Sequence, residues 1–276
     1  MYPAIFSRTY SIKDPAKLFD AVAADGYQGV QANLSSAGLA SPPEFLRDGL
    51  AARFGEGARS RGIRIAALSG TYNMAHPDVK VRRASRVGFR NVIKAATDMG
   101  TSIVSLCTGS RNEQDMWKFH PENQSAAAWA DLRSELDFAL SLAHESGIHL
   151  AIEPEPANVI HNAKAARRIL DEVASPYLGI ILDAANLLSP ETLGKQHEVI
   201  SEAASLLAPS LLLAHAKDID ASGHVVAPGE GAVDLPSFTR SIRAVGYDGA
   251  LIAHGFSEEK TAIAARELKR LLEASA

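Results

Sequence analysis

The stretch IHLAIEPEPANVIHNAKAARRILDEVASPYLGIILDAAN, residues 148–186, decides the fold. It opens on a short apolar run (148–153), crosses a loop and continues with apolar residues at helical spacing (163–174). It then returns to a second apolar run (178–183). Such runs are apolar on both faces, so each side of the strand needs cover. Two such strands joined by a helix form a parallel pair, because a crossover helix both returns the chain and covers the sheet.

Outward from this unit the same alternation recurs. Further strand candidates are PAIFS (3–7), GVQANL (29–34), IRIAALS (63–69), SIVSLC (102–107), SLLLAHA (210–216) and GALIAH (249–254), eight with the two above. Helical spacing marks 15–25, 81–99, 126–146 and 238–245 as well, and Gly26, Gly62, Gly100, Gly147 and Gly246 stand where helix ends need a C-cap. Eight βα units in a chain of this length match a closed (β/α)8 TIM barrel. The rival, a doubly wound open sheet, calls for a glycine-rich phosphate turn after the first strand, and SRTYSIKDP is not one. Without a linker-like or low-complexity tract, residues 1–276 read as one domain.

Composition narrows the partner. The formal charge of −4 leaves no basic footprint for nucleic acid or an anionic membrane surface, so a small-molecule substrate is expected. A single cysteine, Cys107, excludes an internal disulfide framework and reads as a buried structural thiol at the end of an apolar run. No secretory leader or membrane-length apolar run is visible, so a cytoplasmic protein is expected.

The carboxyl ends of barrel strands converge on one mouth, so the polar groups there carry the functional information. Strand five ends in Glu153, six in Asp183, seven carries His215 and eight ends in His254. Taken singly, each carboxylate could cap a helix and each histidine could be a hydrogen-bonded core residue. Gathered into one partly buried pocket, two carboxylates and two imidazoles are most simply reconciled by a cation. The mixed oxygen and nitrogen donors suit a divalent transition metal better than calcium.

These residues carry a resemblance. LAIEPE (150–155), ILDAAN (181–186), AHAKD (214–218) and the glycine-rich PGEGAVDLPSF (228–238) make the chain similar to the xylose isomerase-like TIM barrels, the sugar phosphate isomerase/epimerase superfamily. The resemblance implies one bound divalent metal, Mn2+ by first expectation and Zn2+, Co2+, Fe2+ or Mg2+ as alternatives, held by Glu153, Asp183, His215 and His254. It also implies a carbohydrate substrate and a homo-oligomer. Two departures stand out: Asn186 occupies the place of the family's usual substrate-contacting histidine, and His254 replaces its strand-eight glutamate.

The expected chemistry is isomerisation or epimerisation of a sugar or keto-sugar by α-proton transfer through an enediolate. Glu153 is the base, His254 is the altered second acid/base, and Lys217 stabilises oxyanion charge unless it is paired with Asp218. The altered strand-eight residue keeps a lyase or dehydratase reading open, and a DNA repair endonuclease on the same barrel is disfavoured by the acidic balance. Glu155 and Asn158, after strand five, can reach substrate hydroxyls, although Asn158 can equally cap the next helix. Asn73 in SGTYNMAHPD (69–78), and Arg111, Trp117 and His120 in the long TGSRNEQDMWKFHPEN (108–123), are candidate substrate contacts together with Asn186.

Overall fold

The computed structural model describes residues 1–275. Among them, eight parallel strands close into a barrel: β1 (Tyr2–Phe6), β2 (Gly29–Ala32), β3 (Arg64–Ser69), β4 (Ile103–Cys107), β5 (His149–Glu153), β6 (Leu178–Asp183), β7 (Leu211–His215) and β10 (Ala250–Ala253). Neighbours follow chain order, and β1 pairs with both β2 and β10 to complete the ring. Around it stand α1 (Pro15–Asp25), α2 (Leu50–Arg59), α3 (Val79–Met99), α4 (Ala126–Ser146), α5 (Ala163–Val173), α6 (Gln196–Leu207), α7 (Leu235–Ala244) and α8 (Thr261–Ala274). None of the described helices is long and apolar enough to cross a membrane.

Local chemistry sets the helix ends. Asp14 accepts from the Lys17 amide while Pro15 takes the first turn of α1, and Ser125 accepts from the Ala128 amide to start α4. α3 and α7 each begin earlier than apolar spacing alone indicates. Asp78 caps the first, and Asp234 with Pro236 opens the second, so polar capping extends the helix beyond its apolar stripe. Gly26, Gly100 and Gly147 close α1, α3 and α4 in the left-handed conformation, with φ of 92°, 83° and 65°.

Two apolar layers result. The larger lies between strands and helices and includes Phe19, Phe54, Phe89 and Phe238, all fully buried. The smaller, Ala4, Ala67, Ala151, Ile181, Leu213, Ala250 and Ile252, fills the barrel lumen with alternating small and large side chains. Because side chains alternate along a strand, residues two positions beyond this plug also point inward, at the open carboxyl end.

The segment after β7 contains a feature the apolar pattern does not reveal. A short antiparallel hairpin, β8 (Asp218–Ile219) with β9 (Val225–Val226), leads into a glycine-rich turn folded back onto Asp218. The Asp218 carboxylate, 1% exposed, accepts from the amides of Ile219 (2.9 Å), Gly229 (3.0 Å), Gly231 (3.0 Å) and Val233 (3.1 Å). A Cβ on Gly231 would lie 2.1 Å from Asp218 Oδ1, so that turn closes only on glycine.

Candidate metal centre

The alternation that builds the lumen plug also builds the site. Ala151, Ile181, Leu213 and Ile252 sit in the plug, and Glu153, Asp183, His215 and His254 follow each of them by two residues. Strand register sets them side by side, with Asp183 opposite His215 and Cys107 opposite Glu153. Glu153, Asp183, His215 and His254 each offer one donor atom, and all four atoms lie within 4.8 Å of one another. His254 Nε2 is 2.9 Å from Asp183 Oδ2, and His215 Nδ1 is 3.1 Å from Glu153 Oε1 and 3.7 Å from Asp183 Oδ2.

Hydrogen bonds from outside the cluster aim Asp183, Glu153 and His215. Asp183 Oδ1 accepts from the amides of Ala185 (2.8 Å) and Asn186 (3.3 Å), which leaves Oδ2 for the cluster. Asn186 Nδ2 donates to Glu153 Oε1 at 3.0 Å, while Lys217 Nζ donates to Asn186 Oδ1 and stands 3.5 Å from Asp183 Oδ2. His215 Nε2 meets Gln31 Oε1 at 2.7 Å on the far wall of the lumen.

Electrostatics agree with a cation site. Burial favours a neutral Asp183, yet the charge of Lys217 and hydrogen bonds from His215 and His254 hold its carboxyl well below the usual carboxylate range. Burial disfavours the His215 cation, but Glu153 and Asp183 outweigh it and push that pKa up to about 9. Burial and the neighbouring His215 lower His254, favouring a neutral imidazole. Without a metal the carboxylates therefore keep a proton on His215. Two buried carboxylates and two imidazoles whose donor atoms face one point are a donor set a divalent ion fits, with that proton displaced on binding.

The centre opens into a cleft of about 620 Å³ whose walls include Phe6, Trp117, Glu155, Lys217 and Val225. Burial and the charge of Glu153 push Glu155 up to about 7, and its carboxylate lies 4.0 Å from Lys217 Nζ. Burial, with the Glu153 charge adding to it, pushes the Cys107 thiol well up, which suits an inert thiol in the wall.

Of the other residues singled out from the sequence, Trp117, Glu155, Asn186 and Lys217 gather at this centre or its cleft. Asn73, Arg111, His120 and Asn158 do not line it, and each instead helps to hold a loop. Asn73 bonds the Ser110 backbone at both N–H (3.0 Å) and C=O (2.9 Å), and Arg111 is paired with Asp131 at 2.6 Å. His120 Nδ1 accepts from the Glu122 amide at 3.3 Å, opening a short 3-10 turn at 121–124. Asn158 accepts from the Gly109 amide at 2.8 Å and donates to the Met116 carbonyl at 3.1 Å, and Asn162, not Asn158, caps α5. Lys217 is not paired with Asp218, whose oxygens are taken by the amides of its own loop. Gln31 and Val225 reach the site without having been singled out. A polar residue flanked by the apolar Val30 and Ala32 within GVQANL was the available signal for Gln31.

The family model described as xylose isomerase-like TIM barrel matches residues 19–274. No curated protein matches the sequence significantly. Among solved structures, D-psicose 3-epimerase from Clostridium cellulolyticum H10, crystallised with D-tagatose, superposes with a TM-score of 0.79 at 14% identity, covering 100% of this chain and 99% of that one. The IOLI protein with a bound zinc atom gives 0.75 at 17% identity, covering 100% and 98%. A xylose isomerase-like TIM barrel/4-hydroxyphenylpyruvate dioxygenase fusion protein gives 0.74 at 18% identity, and this chain spans 43% of its length. With the family model matched over nearly all of its length and a closed eight-stranded parallel barrel, the chain belongs to the xylose isomerase-like TIM barrel family.

Proposed function

We propose that this protein is a divalent-metal-dependent isomerase or epimerase of a sugar or keto-sugar, acting by α-proton transfer. The observation that carries the reading is the convergence of Glu153, Asp183, His215 and His254 within 4.8 Å at the floor of the cleft. The named neighbours support it, one an epimerase crystallised with a ketose and one a protein holding zinc. A divalent ion held by these four residues would polarise adjacent hydroxyl and carbonyl oxygens and acidify the hydrogen between them.

The chain's own groups supply the proton handling. Glu153 Oε1 is occupied by His215 and Asn186, whereas Oε2 meets only the Cys107 thiol at 3.8 Å, so Oε2 is the lobe free to take a proton. Lys217, 12% exposed and held cationic by Asp183 and Glu155, offers positive charge to a developing oxyanion. With His254 engaged on the ion, Glu155 in the cleft wall, raised to about 7 by burial and the Glu153 charge, is the group that returns the proton. Trp117 presents an aromatic face, 48% exposed, for the sugar ring.

A lyase or dehydratase is the second reading, favoured by one observation. An imidazole, His254, stands where the resemblance places a second glutamate, so that wall lacks a carboxylate to return the proton to the α-carbon, while Glu155, raised to about 7 by burial and the Glu153 charge, can protonate a departing β-substituent. Incubation with keto-sugars in D2O separates the two. Deuterium entering the α-carbon without loss of water or alcohol supports the epimerase, and release of an enone supports the lyase. Glu153→Gln should abolish the exchange, and exchange at the wild-type rate in that variant would remove Glu153 as base.

A further inference from the structure

We infer that Gln31 is a positioning residue for the metal ligand His215, its side-chain carbonyl holding the Nε2 proton so that the Nδ1 lone pair faces Glu153 and Asp183. The inference rests on the metal-site reading and adds to it a residue from the opposite side of the barrel.

Gln31 lies on β2, which is separated from β7 by β1 and β10 in the ring, so its bond to His215 spans the lumen. The amide is 3% exposed, and both of its ends are used. Nε2 donates to Ser105 Oγ on β4 at 3.0 Å, and Oε1 meets His215 Nε2 at 2.7 Å. Ser105 Oγ can serve either end of the amide, so His215 sets the orientation: once Nδ1 holds a metal ion the ring's only proton is on Nε2, and the carbonyl end of Gln31 is the end that accepts it. A flipped amide would present N–H to Nε2, forcing the single proton of a neutral imidazole onto Nδ1 and blocking the atom that faces the carboxylates.

The backbone is adjusted at the same place. Between β2 and β3 the register slips by one residue, with Val30 opposite Ile65 but Gln31 opposite Ala67, and such irregularities re-aim a side chain. Gln31 thus stands level with the polar ring above the plug, bridging β2, β4 and β7. A metal-binding histidine commonly donates its remote N–H to an acceptor that sets tautomer and ring angle, and loss of that acceptor costs roughly 10–100-fold in metal affinity. Here the acceptor is an uncharged amide, so it orients His215 without adding a third negative charge beneath the site.

The test is zinc affinity, measured by competition with a chromophoric chelator, for the wild type, Gln31→Leu and Gln31→Glu. Gln31→Leu should weaken binding by about 10–100-fold. Gln31→Glu, which restores an acceptor, should recover most of that loss. In zinc-loaded wild-type protein labelled with 15N-histidine, His215 should give an exchange-protected Nε2–H resonance. Unchanged zinc affinity in Gln31→Leu, or an Nδ1–H resonance for His215 in the loaded wild type, would overturn the role of Gln31. The resonance applies even if Gln31→Leu fails to fold. Absence of zinc binding by the wild type would instead remove the metal-site reading itself.

Discussion

Replacing Asp183 with asparagine keeps the shape of the side chain and removes its charge. In the native site that carboxylate is 1% exposed and is surrounded by His254 Nε2 at 2.9 Å, Lys217 Nζ at 3.5 Å and His215 Nδ1 at 3.7 Å. Deleting one partner of a buried ion pair costs roughly 3–5 kcal/mol, because the charges left behind remain desolvated. Relief of repulsion between Asp183 and Glu153 offsets part of this, so the lower end, about 3 kcal/mol, is expected for the metal-free protein. At about 2–4 °C per kcal/mol for a chain of this size, Tm in the presence of a chelator should fall by about 6–12 °C. Metal content after dialysis should fall as well, and by more than the roughly 10–100-fold that an outer hydrogen-bond partner is worth, because an anionic donor is lost outright. Differential scanning calorimetry with chelator and elemental analysis without it read the two effects. An unchanged Tm together with stoichiometric metal would refute both the charge balance and the ligand assignment.

His254→Glu should retain metal while altering the fate of the α-proton, read as the ratio of epimerised to eliminated product; loss of metal on this change would argue against a ligand role for residue 254. The metal-free protein should lose thermal stability as pH rises. Glu153 and Asp183, overcoming burial, raise His215 to about 9 from an ordinary value near 6.5, so the stability it contributes is complete below the lower value and gone above the higher. The metal-loaded protein should lack this decline, since the ion replaces the proton, and parallel pH–Tm curves for the two forms would contradict the exchange. Arg111→Ala should cost about 1.5–3 kcal/mol of stability through its lost bond to Asp131, with KM unchanged; a raised KM at unaltered Tm would return Arg111 to the substrate site.

The barrel was legible because one physical demand, apolar cover on both faces, repeats along the chain, and because glycine marks helix ends where a left-handed residue is needed. The four residues of the centre were legible for a related reason. A carboxylate or imidazole at the end of a run such as LGIILD is costly to bury unless something pairs with it. Loop residues offered no such constraint. Asn73, Arg111, His120 and Asn158 are chemically suited to grip a sugar, but neighbouring loops compete for the same hydrogen bonds. Gln31 was hidden for the opposite reason, since one polar residue inside an apolar strand does not by itself reveal a partner on the far wall. The hairpin at 218–226 was hidden because its two strands are two residues each, too short for any period to show.

The fastening of the segment after β7 has a consequence for how this protein can change. Its course is written in main-chain amides that close on two carboxylates, Asp218 for the glycine-rich turn and Asp220 for the hairpin tip, so the side chains of Ser222 and Val225 at its crest carry little of the scaffold. Val225 borders the cleft. Mutation can therefore explore new molecular preferences along that rim at small risk to folding, whereas Asp218, Asp220 and Gly231 form the fixed frame that makes such exploration affordable.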